Sequence, residues 1–518
     1  MYRQRDYLER LIASLTKEEK RHYSMLFGHS KAERETPLHY RLYKQYVNEK
    51  SYYSKMEIVT GRNHLSKVKQ DLYGILLRKI RDLNEDTSPD ILIQNKLNNV
   101  VLLYHRSLPE QGMLELKKAY QEAGKYEKFG LMLQLLDWEK KLNSVLVQPS
   151  RELKSIQAEE RDILRKFTQQ MDLEGIYNQI LKLKKELGYA KGKNKALLTK
   201  TTIKSPQMPT ESECLSNSVR FYRHYIYAIY YWMVYNHREA FVHSKQMLAF
   251  DLNNIQSSDY VNGIFQHITS CVCILEFEEA LNGISLAESY SKSMGLNQSI
   301  QFAGNMFAYK ATYKMIVLNY MGEYQLLKSF VKEVELTLQE KQKTISVDAL
   351  QIIMANLLVS YVGLHQLDKA ADTRQQLMEM KRRFPLRQDV DTEVYFFQLF
   401  YLIQTGAYDL VLPAAQSALR YIRKHEDAYR VFEVEMPIAL LLAKPHNLED
   451  KKVLDRVLGQ CRKIVGDYIS KLKGTLQFQE HYTRYLIWFD AIEQGIPFHQ
   501  AAKEWYMKIS KAEQGDYQ

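Results

Sequence analysis

A chain of 518 residues that is 45% hydrophobic can build a large core or an elongated array, and is too apolar for a disordered protein. Glycine and proline are sparse, at 21 and 11, which disfavours glycine-rich phosphate loops and folds rich in tight β-turns, and the formal charge of +11 permits only a weak attraction to nucleic acid, anionic lipid or acidic proteins. The four cysteines, Cys214, Cys271, Cys273 and Cys461, form no CxxC pair and no zinc-ligand spacing, so free thiols in a reducing compartment are expected.

The N-terminal stretch MYRQRDYLERLIASL is charged throughout and lacks the apolar run and cleavage site of a signal peptide. Helical periodicity then runs through nearly every window, and no convincing strand is found, so the class is all-α. Thr16-Lys17-Glu18-Glu19 and Thr210-Glu211-Ser212-Glu213 have the capping-box form, and Ser88-Pro89 and Leu108-Pro109 put proline in a first helical turn. Residues 1–88 read as an N-terminal helical region. Residues 89–187 read as degenerate hairpins, with AGKYEKFGLMLQLLDW (Phe129, Leu133 and Leu136) as a looser copy of the repeat that follows, and then two long charged helices from residue 150. Residues 188–218 are polar and basic, with Pro206 and Pro209, and predict an exposed loop or hinge at a domain boundary. An array follows over 219–430, and the helices of 431–518 are expected to cap its open end. The most apolar stretch, YIYAIYYWMVY, is far too short to cross a bilayer, and a soluble, cytoplasmic protein is expected.

The array is visible as an internal repeat. In YNHREAFVHSKQMLAFDLNN, Ala240, Ser244 and Met247 fall on one helix face, opposite His224, Tyr227, Ala228 and Tyr231 of the preceding helix. Small residues at Ala228 and Ala240 let the two helices cross closely. The arrangement recurs at Ala280, Ile284 and Ala287; at Leu327, Val331 and Val334; at Ala370 and Leu377, with Arg374 interrupting; and at Val411, Ala415 and Ala418. Successive anchors are 40, 47, 43 and 41 residues apart, the spacing of a two-helix solenoid repeat. With the turns Gly322-Glu323-Tyr324 and Gly406-Ala407-Tyr408, these segments resemble tetratricopeptide repeats (TPR) over about residues 216–424. The units are longer than the roughly 34 residues of the simple motif, and the usual proline after the second helix is missing, with Leu252 in its place. Long-helix TPR-like arrays are the better comparison. The segments LERLIASLTKEEKRHYSMLF and HLSKVKQDLYGILLRKIRDL are similar to the start of a group of bacterial TPR-like proteins of uncharacterised activity. The resemblance implies a right-handed α-solenoid of helical hairpins.

Chemistry is not signalled. His237 and His243 are six residues apart, about 240° around a helix, so they cannot share a metal on one face. No HExxH, EF-hand loop, GxxxxGK[ST], GxGxxG or GxSxG is present. The carboxylate pairs Glu433/Glu435 and Glu278/Glu279 read as solvated helix faces. No catalytic residue, cofactor or metal ligand is therefore assigned, and a non-enzymatic protein is expected.

The TPR resemblance implies a concave surface lined by the first helix of each pair. In register, that surface carries Tyr222, Tyr225, Ile229 and Trp232, then Asn262 and Phe265, then Tyr309, Thr312 and Asn319. Rings to bury side chains and amides to satisfy a backbone suit a peptide or partner helix, although the same rings also suit a core between long helices. Tyr225 and Ile229 stand where a TPR clamp for C-terminal carboxylates has a lysine and an asparagine, which argues against that mode. A protein–protein interaction scaffold is the leading expectation. A peptide-responsive regulator is the second, and a nucleic-acid binder using Lys191, Lys193 and Lys195, or Lys381, Arg382 and Arg383, the third.

Overall fold

A computed structural model describes residues 7–27, 38–47, 62–83, 88–190, 192–250, 255–296, 299–341, 345–383, 388–425, 433–472 and 480–515. Its regular structure is helix throughout: 23 helices packed in neighbouring pairs, and no strand among the described residues. The chain divides into two units, Met1–Thr168 and Gln169–Gln518.

In the first unit, α1 (Tyr7–Ser14), α2 (Lys17–Phe27), α3 (Leu38–Val47) and α4 (Arg62–Leu83) surround a core centred on Tyr23, Tyr40 and Tyr43. The first capping box forms as expected: Thr16 N–H donates to Glu19 Oε2 at 2.7 Å and Glu19 N–H to Thr16 Oγ1 at 3.1 Å, opening α2. Next, α5 (Pro89–His105), α6 (Pro109–Lys125) and α7 (Phe129–Asn143) follow one another as packed neighbours, with both prolines in the first helical turn. Residues 153–187 are not a pair of helices but a single one of 35 residues, α8 (Leu153–Leu187), whose first half adds Ile156, Ile163 and Phe167 to the α5–α7 core.

In the second unit, residues 188–218 are more ordered than an exposed hinge. They contain α9 (Gly192–Thr201), bury Ala190, Leu198, Thr202 and Cys214, and tie Ala190 N–H to the Met233 carbonyl at 2.7 Å. The second capping box also forms, but it closes only a short turn of 3-10 helix over Glu211–Glu213. The helix proper starts afterwards, on the Ser216 hydroxyl.

Five hairpins follow: α10 (Asn217–Met233) with α11 (His237–Leu248), α12 (Ser257–Cys273) with α13 (Phe277–Ser293), α14 (Ile300–Met321) with α15 (Tyr324–Lys341), α16 (Val347–Gly363) with α17 (Leu367–Arg383), and α18 (Gln388–Gln404) with α19 (Val411–His425). Each first helix also touches the first helix of the next pair. The expected anchors lie in these contacts: Ala228, Ala240, Ala280, Ala287, Leu327, Val334, Ala370, Ala415 and Ala418 are all essentially buried.

One turn closes every pair. The first helix ends, one residue adopts the left-handed conformation, and the following N–H bonds back to the carbonyl five residues earlier, which is the Schellman arrangement. The left-handed residues are Tyr235, Leu275, Gly322, His365 and Gly406, spaced by 40, 47, 43 and 41 residues like the anchors. The closing bonds, from Asn236 to Tyr231 and so on to Ala407–Leu402, measure 2.8–3.1 Å. Ser107 and Glu127 make the same turn in the first unit.

The C-terminal helices do more than cap an end. α20 (Glu435–Leu442) and α21 (Lys451–Leu472) continue from α19, and then α22 (Glu480–Gln494) and α23 (Phe498–Gly515) turn back along the array. Trp488, fully buried, packs on Phe397, Phe400 and Phe498. Arg484 donates from Nε to Tyr320 Oη at 3.1 Å and lies over the rings of Tyr320 and Phe397. Further along, Trp505 meets Tyr320, His499 meets Tyr324, and Tyr506 meets Phe277. The terminal hairpin thus covers the C-terminal ends of α14 and α18 and the turns beside them. Each large ring buried in this way contributes roughly 2–3 kcal/mol of transfer free energy.

Gly322 shows how close this packing is. A Cβ there would lie 2.5 Å from the His499 carbonyl oxygen and the Lys503 nitrogen, both backbone atoms of α23, whereas a Cβ at Gly406 meets nothing nearer than 4.0 Å. Both residues have φ near +70°. Gly406→Ala is therefore expected to cost only the left-handed strain, about 1 kcal/mol. Gly322→Ala should cost several times more, because α23 has to move. Urea midpoints of the two variants measure this; equal losses would contradict the docking of α23 on this turn.

Candidate functional site

Of the nine residues expected to line a groove, Thr312 is partly buried on α14 and the other eight separate into three groups. Tyr222, Tyr225, Ile229 and Trp232 are buried, because the second half of α8 lies along their face of α10. The Tyr177 ring sits 5.1 Å from that of Tyr222 and 5.0 Å from that of Tyr225. Tyr222 donates its phenol proton to Asp259, and burial raises the pKa of both groups. Trp232 is covered by the Tyr189 ring and by the Lys184 ammonium, 5.1 Å from its ring; Lys184 also donates to Gln266 Oε1 at 2.8 Å. This row is core.

Asn319 is buried as well. Its Nδ2 donates to the Met315 carbonyl and to Ser360 Oγ at 2.9 Å, tying α14 to α16.

The remaining three, Asn262, Phe265 and Tyr309, meet in an open recess of about 270 Å³ between α12 and α14. Helical spacing explains the meeting. Ser258, Asn262 and Phe265 recur on one face of α12, and Phe302, Asn305, Met306 and Tyr309 on one face of α14, with the N-cap Ser299 beside them. Phe265 and Tyr309 stack with centroids 4.3 Å apart and planes 17° apart, and Tyr309 is 41% exposed. Asn262 and Asn305 are exposed around it. Sequence reasoning missed Phe302 and Asn305, although both lie within two helical turns of Tyr309 on its own face.

The basic residues give less. Lys193 and Lys195 are exposed on α9. Lys191 lies outside the described residues, as do the side chains of Lys381, Arg382 and Arg383. Two carboxylates read as solvated are not: Glu435 is buried and accepts from Tyr482 Oη at 3.3 Å, and Glu279 is half-buried against His267.

A second concavity holds histidines. His243, at the opening of this array, pairs not with His237 but with His224 of α10, Nδ1 to Nδ1 at 2.9 Å, so one ring donates and the other accepts. Tyr227 and Tyr231 stack on His243, and Glu211, Arg223, Gln246 and Phe250 complete the walls. Among the described residues, one group could hold a metal ion: His267, Cys271 and Glu279. All four cysteines are free and buried.

No protein-family model matches the chain, and no curated protein or solved structure is similar to it.

The histidine pair makes a pH prediction. Burial lowers the pKa of both rings, that of His243 to about 4, with His224 and Arg223 adding to the effect, while Glu211 opposes it at His224. A depressed folded-state pKa means that the stabilisation is complete above the unfolded value of about 6.5 and is lost as the pH falls towards 4. Melting temperature should therefore fall between pH 7 and pH 4.5, and His243→Phe, which keeps the stacked ring, should flatten that slope. An unchanged slope in the variant would count against a neutral pair.

Proposed function

We propose that the chain is a TPR-like, right-handed α-solenoid that acts as a non-catalytic scaffold, binding an extended peptide from a protein partner at the α12–α14 recess. One observation carries the reading: an exposed aromatic platform, Tyr309 on Phe265, is ringed by the amides and hydroxyls of Asn262, Asn305, Ser258 and Ser299. Such groups satisfy a peptide's backbone while the ring covers one of its side chains. The recurrent hairpins and common turn support the TPR-like assignment. The rest of the expected groove is not offered as a surface, since α8 and the terminal hairpin occupy it.

A second reading, a peptide-responsive regulator, is favoured by α14 itself. Its N-terminal half lines the recess, and its C-terminal Tyr320 carries Arg484 and Trp505 of the terminal hairpin. A peptide that shifts α14 then alters how α22 and α23 are held.

The test uses peptides selected on the full chain from a displayed random library, with affinities measured by fluorescence anisotropy. Tyr309→Ala is expected to weaken binding about tenfold or more, the cost of losing a central ring. Lys193→Glu combined with Lys195→Glu should leave it unchanged. Loss through the lysines, with strong salt dependence and no effect at Tyr309, would move the assignment to nucleic acid.

A further inference from the structure

Three side chains with metal-ligating atoms converge where α12 meets α13. His267 and Cys271 stand four residues apart on α12, one helical turn, and so share a face. Glu279 lies in the first turn of α13, and the left-handed residue Leu275 folds that turn back over the same face. His267 Nε2 is 3.2 Å from Glu279 Oε1 and 3.5 Å from Cys271 Sγ, and the three ligand atoms all lie within 4.8 Å of one another. Bonds of about 2.0–2.3 Å to a tetrahedral zinc ion place neighbouring ligand atoms roughly 3.3–3.8 Å apart, so two of the spacings are already close to those of a bound site.

The hydrogen bonds around His267 say why a cation fits. Ser244 Oγ lies 2.9 Å from the Phe241 carbonyl, to which it donates its only proton. It then accepts from His267 Nδ1–H, also at 2.9 Å. In the tautomer with the proton on Nδ1, the Nε2 lone pair faces the Cys271 thiol, which donates to it, and lies beside the Glu279 carboxylate. A cation that replaces the thiol proton takes the imidazole lone pair, the thiolate and the carboxylate together. The Phe241 ring, 5.5 Å away and nearly parallel, holds the imidazole plane. A serine bonded to the outer nitrogen and a ring stacked on the face are the supports that orient a ligating histidine.

We propose that His267 Nε2, Cys271 Sγ and a Glu279 oxygen form a binding site for a divalent transition metal of the zinc class, with water in the fourth position. Thiolate and imidazole select zinc, cobalt or nickel over magnesium and calcium, which take oxygen ligands. His267 and Cys271 are buried, whereas Glu279 is about one-third exposed and gives the route from solvent. The Lys245 ammonium, 3.4 Å from Glu279, neutralises the carboxylate from outside and gives way when the ion arrives. On binding, the Cys271 thiol releases its proton to solvent and the thiolate takes the metal. The site pins the α12–α13 hairpin, so metal and peptide binding share α12, the metal where it meets α13 and the peptide where it meets α14.

Cobalt reports the site directly, because a thiolate–cobalt bond absorbs in the near ultraviolet. Chelator-treated full-length protein titrated with Co²⁺ should develop that band, saturating at one equivalent, and Zn²⁺ should displace it. Cys271→Ser should abolish the band and Cys461→Ser leave it intact. Glu279→Gln, which keeps the side chain's size at a position about one-third exposed, should weaken cobalt binding about tenfold or more. Ser244→Ala, which removes only the orienting bond, should weaken it roughly 10–100-fold. If Cys271→Ser does not fold, Glu279→Gln decides. No band at several equivalents, or a band unmoved by both Cys271→Ser and Glu279→Gln, overturns the proposal and leaves His267 as a hydrogen-bonded core histidine.

Discussion

The bond that closes each hairpin is the constraint on which the second unit depends. A single left-handed residue turns the chain and lets the next N–H reach a carbonyl at the end of the first helix. It satisfies backbone groups that a helix end leaves exposed, and it fixes the entry angle of the second helix. Because the turn is the same each time, Ala240, Ala280, Leu327, Ala370 and Val411 each stand five residues after the left-handed residue, and all are buried. The array is a repeat of turns as much as of sequence.

That regularity presents a row of first-helix faces, and the chain covers most of them itself. The second half of α8 lies on Tyr222, Tyr225 and Trp232, and α22–α23 lie on Tyr320, Phe397 and Phe400. An aromatic row of this size left in water would expose a large apolar patch. What stays open is the stretch between the two coverings, where Tyr309 keeps its ring at the surface among amides and hydroxyls. The proposed peptide site is the part of the row that the protein does not use for its own stability.

The sequence carried the all-helical class and the anchor positions, because a 3.6-residue period and a small residue facing another are local properties. It carried the turns only in part. Gly322 and Gly406 announce a left-handed residue, but Tyr235, Leu275 and His365 adopt the same conformation under tertiary constraint, against their own preference. It did not show which aromatics are covered, since Trp232 and Tyr309 both recur at helical spacing. Only the packing of α8 and of α22–α23 separates them, and those contacts join residues as far apart in the chain as Arg484 and Tyr320. The histidines were misleading for the same reason: His243 finds His224 on the neighbouring helix, and Glu279 finds His267 across a turn. Spacing along one helix reports neither.

The account rests on this division between covered and open rings, and hydroxyl-radical footprinting of the intact protein, read by mass spectrometry, tests it most directly. Tyr309 is predicted to oxidise quickly, with Tyr222, Tyr225, Trp232 and Trp488 strongly protected. Oxidation of Trp232 and Trp488 as fast as that of Tyr309 would mean that α8 and the terminal hairpin do not cover the array, and the account would fail.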